Sequence, residues 1–246
     1  MSHEVKALVL CAGKGTRLQT EGIDLPKVMR QADGKPLLHY VLTALDFLPR
    51  EDTILVVGYK KEHVLAVYGD YPHAVQAEQL GTGHAVKSAQ ELLEGFDGDV
   101  LVCCGDMPLM KKSTYEALVA AHKAQGNICT LLSGHAKDLP YGRIIRDADG
   151  NFNHIIEEKD ASEEERAITE LNAGVYLFRA GPLFEALAHL RSDNAQGEYS
   201  LTDGPGWLLE HGYQVGVCDA CDPVEMLGVN TVAQLQEVEN ILRADA

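Results

Sequence analysis

Apolar residues fall into short, nearly unbroken runs at 5–11, 53–57, 99–104 and 127–133, rich in Val, Leu, Ile and Cys. Runs of that length without polar alternation predict strands covered on both faces. Between them, 36–48, 60–68, 82–93 and 113–125 place apolar residues at helical spacing, as helices lying on a sheet would. Ser113-Thr-Tyr-Glu116 matches a capping box and predicts the start of the last of these helices. The alternation as a whole predicts an α/β fold built on a doubly wound, mostly parallel sheet.

The second half of the chain changes character. Segments 143–146 and 152–157 flank Asp147-Ala-Asp-Gly150, whose Asp-Gly pair suits a hairpin turn, and 171–178 reads as a further strand. These predict a smaller mixed β region. Residues 231–243 set Val232, Leu235, Val238, Ile241 and Leu242 along one side of a closing amphipathic helix. No internal repeat, low-complexity run or linker interrupts the pattern.

With 246 residues, 46% hydrophobic and 24% charged, the chain can bury a large core. Its formal charge of −16 argues against a surface that gathers nucleic acid or anionic lipid. Met1 leads into Ser-His-Glu instead of a basic segment and apolar run, and no apolar stretch reaches the roughly 18 residues a membrane span needs. A cytoplasmic protein without a membrane partner is expected. Cys11, Cys103, Cys104 and Cys129 sit in apolar runs, where reduced thiols behave as small hydrophobes. Cys218 and Cys221 form one CxxC without a second pair or a histidine cluster, so core or loop packing is expected of them before metal binding.

Candidate chemistry concentrates near the N-terminus, in Leu10-Cys-Ala-Gly-Lys-Gly-Thr-Arg17 followed by Pro26-Lys27. Gly13 and Gly15 allow a tight turn that brings backbone N–H groups to an anion, and Lys14, Arg17 and Lys27 add positive charge. The spacing is not that of a Walker A loop, and Leu18 stands where a dinucleotide fingerprint needs its third glycine. Residues 1–35 carry six bases and four acids, a balance of +2, which leaves −18 on the other 211. A local positive site in a negative molecule suits a small polyanion. The same letters also describe a solvated turn bearing surface lysines.

Leu10–Arg17 with Pro26-Lys27 resembles the signature of the sugar-1-phosphate nucleotidylyltransferases, and Gln76-Ala-Glu-Gln-Leu-Gly-Thr-Gly-His-Ala85 resembles their uridylyltransferase branch. Cys104-Gly-Asp106, Tyr141-Gly-Arg-Ile, Glu157-Glu-Lys159, Leu171-Asn-Ala-Gly174, Gly197-Glu-Tyr-Ser-Leu-Thr-Asp203 and Gly228-Val-Asn230 follow in the order found in bacterial N-acetylglucosamine-1-phosphate uridylyltransferases. The resemblance implies the Rossmann-like nucleotide-diphospho-sugar transferase fold. One transferase domain is expected over 1–230, with a nucleotide lobe to about 106 and a sugar lobe beyond it, and then the helix of 231–246. It implies small-molecule partners, UTP and N-acetylglucosamine 1-phosphate, which give UDP-N-acetylglucosamine and pyrophosphate with Mg²⁺ as cofactor.

By the same resemblance, Ala12, Gly13, Gly15 and Thr16 hold the nucleotide, Arg17 faces the departing pyrophosphate, and Lys27 steadies the reacting phosphates. Asp106 and Asn230 hold the metal; without the resemblance, Asp106 caps a turn and Asn230 caps the last helix. Gln76 reads the uracil edge with Gly81 and Thr82 beside the base, although a flipped amide pairs equally with cytosine. Without it, Gln76 is an exposed residue ending a strand at 73–77. Tyr141, Gly142, Glu157 and Asn172 hold the sugar ring. His84 is expected to pack or cap, not to act as a base.

Two departures bear on the acceptor. Cys104 stands where the pattern has Tyr, and Ala173 where it has Thr after the sugar-binding Asn, so the sugar pocket is expected to differ. Extra residues around Glu21-Gly22 lengthen the loop between Arg17 and Pro26. The chain stops before any hexapeptide repeat could begin, so neither acetyltransferase activity nor the family's trimerising β-helix is expected, and the oligomeric state is left open. Another sugar phosphate such as glucose 1-phosphate, another nucleotide such as CTP, or a non-catalytic nucleotide-sugar sensor are the alternatives.

Overall fold

The computed structural model describes residues 4–18, 23–137, 139–194 and 196–244. The first part holds β1 (Val5–Cys11), β2 (Gln31–Ala32), β3 (Lys35–Pro36), α1 (Leu37–Ala44), β4 (Thr53–Val57), α2 (Lys61–Tyr68), β5 (His73–Val75), α3 (Thr82–Lys87) and β6 (Asp99–Cys104). There follow α4 (Lys112–Gln125), β7 (Cys129–His135), β8 (Arg143–Arg146), β9 (Phe152–Ile156), α5 (Glu163–Arg166) and β10 (Glu170–Arg179). The chain continues through α6 (Ala180–His189), α7 (Asp203–Glu210), β11 (Val215–Asp219) and α8 (Val232–Ala244).

Nine strands form one sheet in the order β11-β7-β10-β6-β1-β4-β5, with β8 pairing β10 and β9 at its side. β1, β4, β5 and β6 are mutually parallel, whereas β10 runs antiparallel between β6 and β7. Strands of both expected lobes therefore share a single hydrogen-bonded layer.

Successive side chains of β1 point to opposite faces, and each face has its own core. Ala7, Val9 and Cys11 pack with Leu38, Val41, Tyr115 and Leu118, contributed by α1 and α4. Leu8 packs on the other side with Val86, Leu183, Leu187 and Leu208, from α3, α6 and α7. Two-sided cover is why the strand sequences lack polar alternation. α8 docks through buried Val238, with Leu235 and Leu242 beside it, on a third cluster of Leu18, Ala32, Leu37 and Val229. Val232, at its first residue, remains 50% exposed.

Two local expectations are corrected. α4 begins at Lys112, and Lys111 caps it without using its side chain, so Ser113 and Glu116 form no capping box. A distant carboxylate does the work, since Glu225 Oε2 accepts the Lys111 N–H at 3.0 Å. Capping-box bonds occur instead at Ser162 and Glu165 and at Thr231 and Gln234. The strand expected from 127 begins at Cys129, because Gly126 (φ 64°) ends α4 in a left-handed turn and Asn127 still donates to the His122 carbonyl.

Candidate active site

Parallel register brings the C-terminal ends of β1, β4 and β6 to one level, with Cys11 opposite Val57 and Leu10 opposite Cys104. The chain leaving each strand is laced to its neighbour: Tyr59 N–H donates to the Ala12 carbonyl, Gln76 N–H to Val57 and Gly105 N–H to Leu10. Gly58 makes this closeness possible, because a Cβ there would lie 2.7 Å from Ala12 Cβ and 2.9 Å from the Gln76 carbonyl. Such a strand-end crevice is where open α/β sheets receive ligands. Here it is a cleft of about 380 Å³ lined by Ala12, Gly13, Gly15, Thr16, Lys27, Gln76, Gly81, Thr82 and Asp106, with Lys14, Cys104 and Glu198 among the rest of its wall.

The glycine bend shapes the position of one cation. Gly15 has φ 61°, and a Cβ on it would fall 2.7 Å from Lys27 Cβ, so the lysine stem lies against the bend. The Lys27 ammonium pairs with the Asp106 carboxylate and donates to Asn230 Oδ1 at 2.7 Å. Both carboxylate and lysine are largely buried. Asn230 arrives there because Val229 N–H donates to the Asp106 carbonyl at 3.0 Å. Thr231 rather than Asn230 supplies the helix cap through its exchange with Gln234, which leaves the Asn230 side chain to Lys27. Lys14 is an exposed part of the wall; Arg17, also exposed, does not line it. Glu21 and Gly22 lie outside the described residues.

At the other end of the cleft Gln76 is 3% exposed, not an open strand end. Its Nε2 donates to the Gly81 carbonyl at 3.0 Å and lies 3.1 Å from His84 Nδ1. His84 thus neither caps nor merely fills; its ring touches the candidate base-reading amide. The start of α3 is clamped by 198–201. Tyr199 accepts from Gly83 N–H at 2.8 Å, Leu201 N–H donates to Thr82 Oγ1 at 2.9 Å, and Gly81 (φ 114°) could carry no Cβ beside the Tyr199 carbonyl. Thr82 and Tyr199 are thereby structural ties, roles that local sequence does not signal.

Glu198 also lines an adjoining recess of about 190 Å³ with Glu157, Asp160, Ser200 and Asp203. Burial pushes the Glu157 carboxyl above its ordinary range, partly offset by a hydrogen bond from the Thr202 hydroxyl. Gly142 gives room, since a Cβ would sit 2.7 Å from Ile155 Cγ2 and force it to shift, and Glu157 Oε2 lies just beyond at 3.7 Å. The other two expected sugar contacts are engaged within the protein. Asn172 donates to Tyr176 Oη at 2.6 Å and accepts from Gly174 N–H at 3.1 Å, bracing the irregularity in β10. The Tyr141 hydroxyl donates to the Met226 carbonyl and accepts from Gly228 N–H, which steadies the approach to Asn230. Ala173 is buried in the core.

Burial, and then the Asp106 charge, push the Cys104 thiol far above its ordinary range, which keeps it protonated and a poor nucleophile. Cys218 and Cys221 are buried free thiols. Among the described residues no three His, Cys, Asp or Glu side chains gather as a metal cage. One charged and one neutral side-chain oxygen, from Asp106 in the cleft wall and from Asn230, instead meet at a cation, Lys27 Nζ. That donor set fits a hard ion such as Mg²⁺, which keeps water and substrate phosphate as its other ligands. No described helix is long and apolar enough to cross a membrane.

Comparison with known proteins bears on the family and the fold. The MobA-like NTP transferase domain matches residues 7–207. The bifunctional protein GlmU of Pelotomaculum thermopropionicum is 43% identical over 242 residues, covering 98% of this chain and 52% of that protein. GlmU of Streptococcus equi subsp. zooepidemicus is 44% identical over 239 residues, covering 96% and 51%. The chain thus spans about half the length of these curated relatives. A UDP-glucose pyrophosphorylase complexed with UDP-glucose superposes with a TM-score of 0.78 at 17% identity, covering 100% of both chains. The fold is that of the nucleotide-diphospho-sugar transferases.

Proposed function

Because the chain belongs to the MobA-like NTP transferase family, we propose that it transfers the uridylyl group of UTP to N-acetyl-α-D-glucosamine 1-phosphate, releasing pyrophosphate. The observation that carries this reading is the convergence of Asp106 and Asn230 on Lys27, a residue of the cleft wall beside the Gly15 bend. The likeness to GlmU supports the choice of substrates.

Two polyanions must meet in this reaction, so placement and charge neutralisation dominate. Ala12, Gly13, Gly15 and Thr16 bind the nucleotide through the bend, and Lys14 and Arg17 draw in its outer phosphates. Lys27 stabilises charge that builds on the reacting phosphates. Gln76 reads the base, with Gly81 and Thr82 holding the wall beside it. Glu157, with Gly142 giving room, orients the sugar hydroxyls; Tyr141 and Asn172 act from behind, keeping that end in shape. Asp106 and Asn230 would hold Mg²⁺, which when bound supplies a Lewis acid for the phosphate oxygens. Lys27 would then shift its contacts from these two side chains to phosphate.

A matrix of UTP, CTP and dTTP against several sugar 1-phosphates, scored by pyrophosphate release, tests the proposal. Turnover should be highest with UTP and N-acetylglucosamine 1-phosphate. Turnover with CTP and none with UTP would overturn the base assignment. Cys104 in the cleft wall favours one second reading, the same transfer to glucose 1-phosphate, which the matrix separates.

A further inference from the structure

We propose that His84 is a positioning residue that fixes which edge of the Gln76 amide a nucleotide base meets, and so sets the choice between uridine and cytidine nucleotides. This rests on the reading of Gln76 given above.

The Gly81 carbonyl can only accept, so the amide nitrogen of Gln76 must be the atom 3.0 Å from it. The second hydrogen of that nitrogen is aimed at His84 Nδ1, 3.1 Å away. To receive it, the imidazole must keep a lone pair on Nδ1 and carry its proton on Nε2. Both amide hydrogens are then engaged. Oε1 has no donor among the described residues, yet is not among their sealed, unpaired atoms, and Gln76 lines the cleft. The wall therefore presents an acceptor. Uracil offers N3–H to an acceptor; cytosine brings a lone pair at the same place, which it repels.

Turning the amide over would reverse this preference and would also set Oε1 against two acceptors, the Gly81 carbonyl and His84 Nδ1. Without His84 only one of these remains to resist the turn. The imidazole is held in place by its own backbone, because Gly83 N–H and Thr82 Oγ1 tie the start of α3 to Tyr199 and Leu201.

The test compares kcat/KM for UTP and CTP, with one sugar 1-phosphate, in the intact wild-type chain and in His84→Ala and His84→Asn. In His84→Asn, Oδ1 replaces Nδ1 as an acceptor at nearly the same place. Losing one neutral hydrogen bond should lower the UTP:CTP ratio about fivefold to tenfold in His84→Ala. The change should lie in KM more than in kcat, and His84→Asn should recover most of it. A ratio unchanged in His84→Ala, or an Asn variant as indiscriminate as Ala, would overturn the proposal. Independently of any variant, imidazole ¹⁵N spectra of the wild-type chain should show His84 protonated on Nε2; protonation on Nδ1 alone would overturn it too. Rejection of UTP by the wild type brings down the functional reading along with this one, whereas a UTP preference that survives in His84→Ala removes only the role of His84.

Discussion

Lys27 Nζ lies 2.7 Å from Asn230 Oδ1, across 203 positions of the chain. The same ammonium pairs with Asp106, so one cation, borne on the turn before β2, joins the end of β6 to the segment before α8. On the proposed function, a phosphate entering the cleft would compete for that ammonium. Lys27→Ala should lower kcat/KM by about 10²- to 10³-fold, the usual loss when one preorganised charge-stabilising donor is removed. Steady-state pyrophosphate release measures it, and wild-type rates in this variant would refute the role given to Lys27.

Asn230 and its neighbour Thr231 divide two tasks. Thr231→Ala removes a helix cap and should cost about 1 kcal/mol of stability, read as a lower denaturant midpoint. Asn230→Ala should leave that midpoint nearly in place while turnover falls. Equal stability losses in the two variants would show that the division is wrong.

Chelation provides a separate check on the oxygen pair. EDTA should stop pyrophosphate release and added Mg²⁺ restore it, with Asp106→Asn raising the Mg²⁺ concentration required. Turnover indifferent to chelator would remove the metal from the proposal.

Gly15→Ala combines two penalties, a left-handed backbone and a Cβ inside the Lys27 stem. The first costs about 1–2 kcal/mol; the second should push Lys27 off its contacts and raise KM for UTP. Thermal unfolding and a UTP titration report them separately.

Stability should also depend on pH through Glu170. Burial raises its pKa, but two hydrogen bonds from Arg146, another from Ser133 and the Arg146 charge outweigh burial and hold it below the ordinary value. A lowered folded pKa contributes stability above the unfolded value of about 4.3 and loses it as pH falls through the folded one. Glu170→Gln should cost about 1–2 kcal/mol at pH 7, a figure reduced because the Arg146 side chain is 36% exposed. The deficit should shrink toward acid, as denaturant titrations at several pH values would reveal; a deficit constant with pH would contradict it.

Local patterning was enough to locate β1, β4 and β6, whose residues are nearly all apolar because helices cover both faces. It also marked the Gly13–Gly15 bend, since a glycine turn at a strand end is written in adjacent letters, whereas Asp106 stood out only by its place in a family's series of motifs. Adjacent letters cannot say which strand lies beside which. That β10 runs antiparallel between β6 and β7 depends on pairing between distant segments. So does the capping of α4 by Glu225 in place of Ser113. Tyr141 and Asn172 look like ligands in the chain, and the fold also gives each an internal partner, because hydroxyls and amides bond whichever group is brought near. Only the assembled fold decided that Asn230 meets Lys27, through the Val229 N–H on the Asp106 carbonyl, and that His84 reaches Gln76, with the start of α3 tied to Tyr199 and Leu201. Periodicity records what each residue must hide from water, while hydrogen-bond partners across the chain are chosen when its elements close together.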